Sequence, residues 1–221
     1  MKFYLHIISQ AGGGSTHYHM ISDLSKGLFQ KAIPMSGSAF CKVWSQVPPR
    51  DWPLKLAKHL GYTGKANEKD ILEFLEKPDG MAIVQATKKV LTFEEEIGLH
   101  ILYAFGPVIE PYVTENCFIP KDPVLMARDA WSKDIDLLIG ATSNEGILRV
   151  NSQAEEISKI LQNSSFFAPG NELGIDIDSE KAKEYGKMLM DVYYKGSKPS
   201  ATNQQPYLYV RNLTKVLLKL L

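Results

Sequence analysis

Along the chain, apolar residues gather in two kinds of pattern. Between residues 52 and 60 they fall at helical spacing, with Leu56 and Leu60 on one face and Gly61 as the stop. Residues 68–75 repeat the pattern through Ile71, Leu72 and Leu75, and Pro78-Asp79-Gly80 reads as a turn before a third helix over 81–90. Further helices are expected over 122–131, near 154–161 and over 179–194. The second pattern is the short continuous apolar run of a buried parallel strand. It occurs at 31–37, which ends in Ser36-Gly37, and at 136–142, the strongest strand signal, which suits the middle of a parallel sheet. Residues 206–210 give a last strand, and 105–111 read as extended and proline-bounded. Strands separated by helices predict an α/β fold with a narrow sheet.

Composition changes this picture little. At 221 residues the chain holds one large domain or two small ones, and 44% apolar with 23% charged residues is a globular balance. The formal net charge is zero, which removes the usual electrostatic case for nucleic acid or an anionic membrane. No apolar run approaches the roughly 18 residues that span a bilayer. The opening Met1-Lys2-Phe3-Tyr4-Leu5-His6-Ile7-Ile8 imitates a signal peptide, but His6 breaks its apolar stretch. Cys41 and Cys117 make neither a disulfide framework nor a zinc site; two buried thiols are the favoured reading over one bridge. Asn163-Ser164-Ser165 and Asn212-Leu213-Thr214 are glycosylation sequons, relevant only in a secreted protein.

The chemistry-bearing feature is Ile8-Ser9-Gln10-Ala11-Gly12-Gly13-Gly14-Ser15-Thr16-His17-Tyr18, a glycine-rich turn that feeds a helix. A phosphate-cradling loop is the competing reading, yet it lacks the P-loop lysine and the spacing of G-x-G-x-x-G. From Ala11 onward the segment resembles the nucleophile elbow of the type-B carboxylesterases, Gly-Glu-Ser-Ala-Gly-Gly followed by a helix. The resemblance continues through Lys26-Gly27-Leu28-Phe29 to Met35-Ser36-Gly37-Ser38, through Phe105-Gly106-Pro107-Val108-Ile109-Glu110, and through Leu138-Ile139-Gly140-Ala141-Thr142-Ser143-Asn144-Glu145-Gly146. Within that family it is most similar to the insect alpha-esterase branch.

The resemblance implies a partial α/β-hydrolase fold running from the elbow helix through the acid strand and beyond, with N-terminal strands and a C-terminal part missing. It also implies ester hydrolysis through a serine acyl-enzyme, with small-molecule carboxylic esters as substrates and neither metal nor cofactor. Glu145 takes the position of the triad acid, which orients a histidine and stabilises its imidazolium. Ala11 takes the position whose backbone N–H helps form the oxyanion hole, and Gln10 stands in the nucleophile position.

Three departures follow. A glutamine amide has no ionisable proton that a base could remove to give an attacking anion. The family's histidine follows the acid, whereas the last histidine here is His100. The glycine-rich segment that completes the oxyanion hole precedes the elbow in the family. Ser15 falls on the helix past the turn, Ser36 lacks the leading glycine of G-x-S-x-G, and His17 and His19 are expected to pack or face solvent, so none of them is a substitute.

The chain as written is therefore expected to be inactive. Residues 2–10 are rich in types with thymine-rich codons, and a glutamine codon, CAG, is the usual end of an intron. The expectation is that residues 1–10 are a false, non-homologous start, that 11–209 form the family segment, and that 210–221 are a non-homologous tail. The alternative is a non-catalytic, cholinesterase-like binding or adhesion protein that lost the serine but kept the fold.

Overall fold

The computed structural model describes residues 4–7, 11–40, 51–92, 95–96, 101, 103–142, 164–167, 175–176 and 178–198. These divide into two compact units, one formed by residues 1–41 and 110–221 and the other by residues 42–109.

The first unit is built on a parallel sheet. Strand β1 (Tyr4–Ile7) lies beside β2 (Lys31–Pro34) in the register Tyr4↔Lys31 to Ile7↔Pro34, and β2 lies beside β3 (Asp136–Leu137) in the register Lys31↔Asp136, Ala32↔Leu137. The order is β1-β2-β3, so β2 is central. Along β2 exposure alternates, with Ala32 and Pro34 buried and Lys31 and Ile33 less so, as a pleated strand covered on one face requires. Pro34 closes the strand, where a missing N–H costs the ladder least.

Helix α1 (Ala11–Ile21) connects β1 to β2. Its three consecutive glycines are poor helix formers, so packing rather than propensity holds it. Tyr18, Met20 and Ile21 enter a core with Phe29, Ala32, Ala39, Ile119 and Met126. Trp131 closes that core: its ring meets Phe29 edge-on at 5.1 Å, and its indole N–H donates to the Ser22 carbonyl at 3.0 Å.

The 136–142 run differs from its expected form. Only Asp136–Leu137 pair as a strand, and among the described residues β3 has a single neighbour and forms the sheet's edge. Pairing with the β2 side resumes further on as a bridge between Met35 and Gly140. Leu137 and Leu138 are exposed. An apolar run records that a face is fit for burial; it does not record how many neighbours the strand has. Residues 154–161 and 206–210, also expected as elements, lie outside the described residues.

The second unit is helical, with α2 (Trp52–His59), α3 (Glu68–Leu75) and α4 (Gly80–Thr87). Local chemistry sets their ends. Pro53 opens α2, and the side chains of Asn67 and Asp79 accept helix N–H groups at the starts of α3 and α4. Trp52, Leu56, Ala86, Val90, Ile101 and Ala104 make its core.

Back in the first unit, Asp122 caps the short α5 (Pro123–Arg128). The longest helix, α6 (Glu180–Tyr194), starts on a Ser179 cap and ends at Lys195 and Gly196, both in the left-handed region. It packs on a turn of 3-10 helix, Ser164–Phe167, and Gly186 lies so close to the Ser164 carbonyl that no side chain fits between them. No described helix is long and apolar enough to cross a membrane.

Candidate active site

In a parallel sheet every strand delivers its carboxyl end to the same side, and in α/β proteins that side takes the ligand. Here β1 ends at Ile7, β2 leads into the Met35–Gly140 bridge, and α1 begins at Ala11 on the same side. Position 10 therefore falls between a strand that ends at Ile7 and a helix that begins at Ala11. A connection of three residues between a strand and a helix is the place in a parallel sheet where a reactive side chain can be presented.

Ala11 is the first residue of α1 and is exposed. Its N–H belongs to the first-turn donors that have no acceptor within the helix, and the helix dipole adds positive potential there. Together these favour a developing negative charge. The other two sequence candidates, Gln10 and Glu145, lie outside the described residues. The last described residue on the way to Glu145 is Thr142, just past the point where the Gly140 carbonyl accepts from the Ser36 N–H at 2.8 Å.

Gly13 explains how α1 comes to lie where it does. A Cβ at this position would sit 2.5 Å from the Met35 carbonyl oxygen and 2.9 Å from the Gly37 nitrogen. The helix can approach the end of β2 this closely only because position 13 has no side chain. Ser36, between those two contacts, has φ 53° and is buried. A non-glycine residue held in the left-handed region costs about 1–3 kcal/mol and persists only where its surroundings fix it.

One turn along α1 from Gly13 stands His17, which the sequence placed among residues that pack or face solvent. It packs: its exposure is 6%. Its Nδ1 lies 3.0 Å from Ser38 Oγ and accepts the Ala39 N–H at 3.2 Å. Phe40 N–H donates to Ser38 Oγ at 3.1 Å, and the Phe40 ring meets the imidazole edge-on at 4.7 Å. A backbone N–H can only donate, so the network assigns Nδ1 as the acceptor and places the proton of the neutral ring on Nε2. Burial pulls the His17 pKa down from 6.5 to about 4. His19, further along, pairs with Ser25 Oγ at 2.8 Å and lies against Phe118. Ser15 turns its hydroxyl back to the Ala11 carbonyl at 3.0 Å, as expected of a residue past the turn.

Glu110 ends the Phe-Gly-Pro segment and anchors the loop that follows. Its Oε1 accepts N–H groups from Phe118 at 2.7 Å and Ile119 at 2.8 Å, and the Cys117 thiol also bonds to it. The N–H groups of Ile119 and Phe118 hold its carboxyl below the ordinary 4.5 against some desolvation. Burial, together with this carboxylate, pushes the Cys117 thiol up from 9.0. The sequence offered no sign of this anchor, because its Phe118 and Ile119 partners are backbone groups.

Comparison with known proteins points in one direction. A family model described as the carboxylesterase family matches residues 7–219. Esterase B1 of Culex pipiens is 40% identical over 200 residues, which cover 90% of this chain and 36% of that protein. Juvenile hormone esterase of Tribolium castaneum is 27% identical over 208 residues, 78% of this chain and 34% of that one. The crystal structure of juvenile hormone esterase from Manduca sexta, with OTFP covalently attached, superimposes with a TM-score of 0.66 at 24% identity, covering 91% of this chain and 37% of that one. The chain thus spans about a third of the length of these relatives.

Proposed function

Because this chain belongs to the carboxylesterase family and carries part of the α/β-hydrolase fold, we propose that it holds one section of a carboxylic ester hydrolase site of the serine acyl-enzyme type. One observation carries the reading. Ala11 opens the helix that follows a sheet strand ending at Ile7, and that helix is seated on the end of the neighbouring strand through a glycine with no room for a Cβ.

In this reading the Ala11 N–H donates to the oxyanion of a tetrahedral intermediate, position 10 is the nucleophile position, and Glu145 is the triad acid. Small-molecule carboxylic esters are the substrate class. The juvenile hormone esterase structure from Manduca sexta carries OTFP covalently attached.

The same reading makes the chain inactive as written. Gln10 supplies no attacking oxyanion, and within these 221 residues no histidine follows His100. Removing nucleophile and base together leaves only the oxyanion donor and binding contacts. The test is hydrolysis of a p-nitrophenyl ester by the purified chain. The expected result is a rate equal to buffer; turnover that disappears in Glu145→Gln would overturn the claim of inactivity.

A further inference from the structure

We propose that His17 is the positioning residue of this site: its neutral imidazole pins the 36–40 turn to α1, and protonation releases that turn. Gly13 and His17 stand at i and i+4, on one face of α1. Both meet the same short segment, Gly13 at Met35 and Gly37 and His17 at Ser38 and Ala39. The first contact needs the absence of a side chain, and the second needs an acceptor at a set height above the helix.

Ser36, flanked by the two Gly13 contacts and two residues before Ser38, is in the left-handed region and bonded through its N–H to Gly140. His17 thus over-determines a strained turn that joins the end of β2 to the chain leading toward Glu145. The inference rests on the ester-hydrolase reading only in calling this end of the sheet the site.

Acid acts on the clamp directly. A proton on Nδ1 takes the lone pair that accepts the Ala39 N–H, leaving a buried cation facing that main-chain donor. Among the described residues no opposite charge is at hand to receive it, for desolvation is the whole cause of the depressed pKa. The described elements packed against α1 carry Tyr4 and His6 on β1 together with Lys31, Asp23, Arg128, Lys133 and Asp134. Lys31 pairs with Asp136 at 2.7 Å, Asp23, Arg128, Lys133 and Asp134 lie at or near the surface, and His19 turns to Ser25.

The sign of the effect follows from linkage. The folded pKa lies below the unfolded one, so the clamp is fully present above about pH 6.5 and is lost as pH falls through about 4.

The experiment uses the full chain and three readouts. Nitrogen NMR of the imidazole at pH 7 is expected to show Nδ1 unprotonated and Nε2 protonated, with a titration well below 6.5; a protonated Nδ1, or a titration at the ordinary value, overturns the proposal. His17→Asn puts an amide oxygen close to the Nδ1 position and does not titrate. Protection of the Ala39 amide from hydrogen exchange should survive in this variant, while the acid-induced loss of that protection disappears. His17→Leu removes the acceptor, and Ala39 exchange should quicken by roughly 5- to 100-fold at every pH. Ala39 protection retained in His17→Leu, or an acid step retained in His17→Asn, sinks the idea. If His17→Leu does not fold, the tautomer and the Asn variant decide. None of these readouts uses ester turnover, so the clamp and the esterase assignment fail separately.

Discussion

Replacing Gly13 with alanine sets two opposite effects against each other. Alanine is the better helix former by about 1 kcal/mol, so a glycine in the first turns of an unpacked helix would gain from the change. At this position the new Cβ arrives 2.5 Å from the Met35 carbonyl oxygen, and ordinary contact begins at 3.4 Å. The obstacle is backbone at the end of β2, not the movable end of a side chain, so α1 must retreat by roughly 0.9 Å or β2 must bend. Overpacking of this kind costs about 1–3 kcal/mol. A retreat of that size also stretches the 3.2 Å bond between the Ala39 N–H and His17 past hydrogen-bonding range, worth about 0.5–1.5 kcal/mol more.

The costs exceed the propensity gain, and the net expectation is a destabilisation of about 1–3 kcal/mol, or roughly 3–10 °C in melting temperature for a chain of this size. Thermal unfolding followed by circular dichroism measures it, with Ala39 amide exchange as the local reporter. Gly80→Ala is the control: it is also the first-turn glycine of a helix, but nothing lies within 4 Å of its Cβ position, so its midpoint should hold or rise slightly. A Gly13→Ala protein that melts at or above the parent temperature, with Ala39 protection intact, would refute the close-approach argument.

Three further outcomes are expected. Glu110→Gln should lower stability at neutral pH and flatten its acid limb, because a depressed carboxyl pKa stabilises the fold above about pH 4.5 and that contribution is lost as pH falls through the folded value; urea titrations from pH 3 to 7 test this. In a Cys41→Ser background, Cys117 should react slowly with a disulfide reagent at pH 8 in the folded chain, faster in Glu110→Gln, and fastest in urea; equal rates in the first two would remove the carboxylate from the account. Asn67→Ala deletes the acceptor for the Lys69 and Asp70 N–H groups and should destabilise the helical unit by about 1 kcal/mol, read from chemical denaturation, with little effect from Asn67→Asp.

What the sequence made legible follows from how far each interaction reaches. Helix 68–75 was readable to the residue because its apolar face is a local signal. Gly13 was legible as part of a glycine-rich turn that feeds a helix, and the strand it meets follows in the same supersecondary unit. Tyr4–Ile7 read only as a short apolar run broken by His6; what makes it a strand is β2, whose side-by-side pairing leaves no periodicity in a four-residue stretch.

His17 and Glu110 fall at the far end of that scale. Their partners are backbone N–H groups at Ala39, and at Phe118 and Ile119, and a backbone donor has no letter in the sequence. The two residues nevertheless act alike. Each is an acceptor that fixes a loop by taking main-chain donors, His17 for the 36–40 turn and Glu110 for the loop closed at 118–119. Each has a pKa below its ordinary value, His17 through burial and Glu110 through those N–H groups. Acid should therefore loosen these two loops before it unfolds the sheet, since both acceptors are lost on protonation while the ladder of β1, β2 and β3 carries no titrating backbone group.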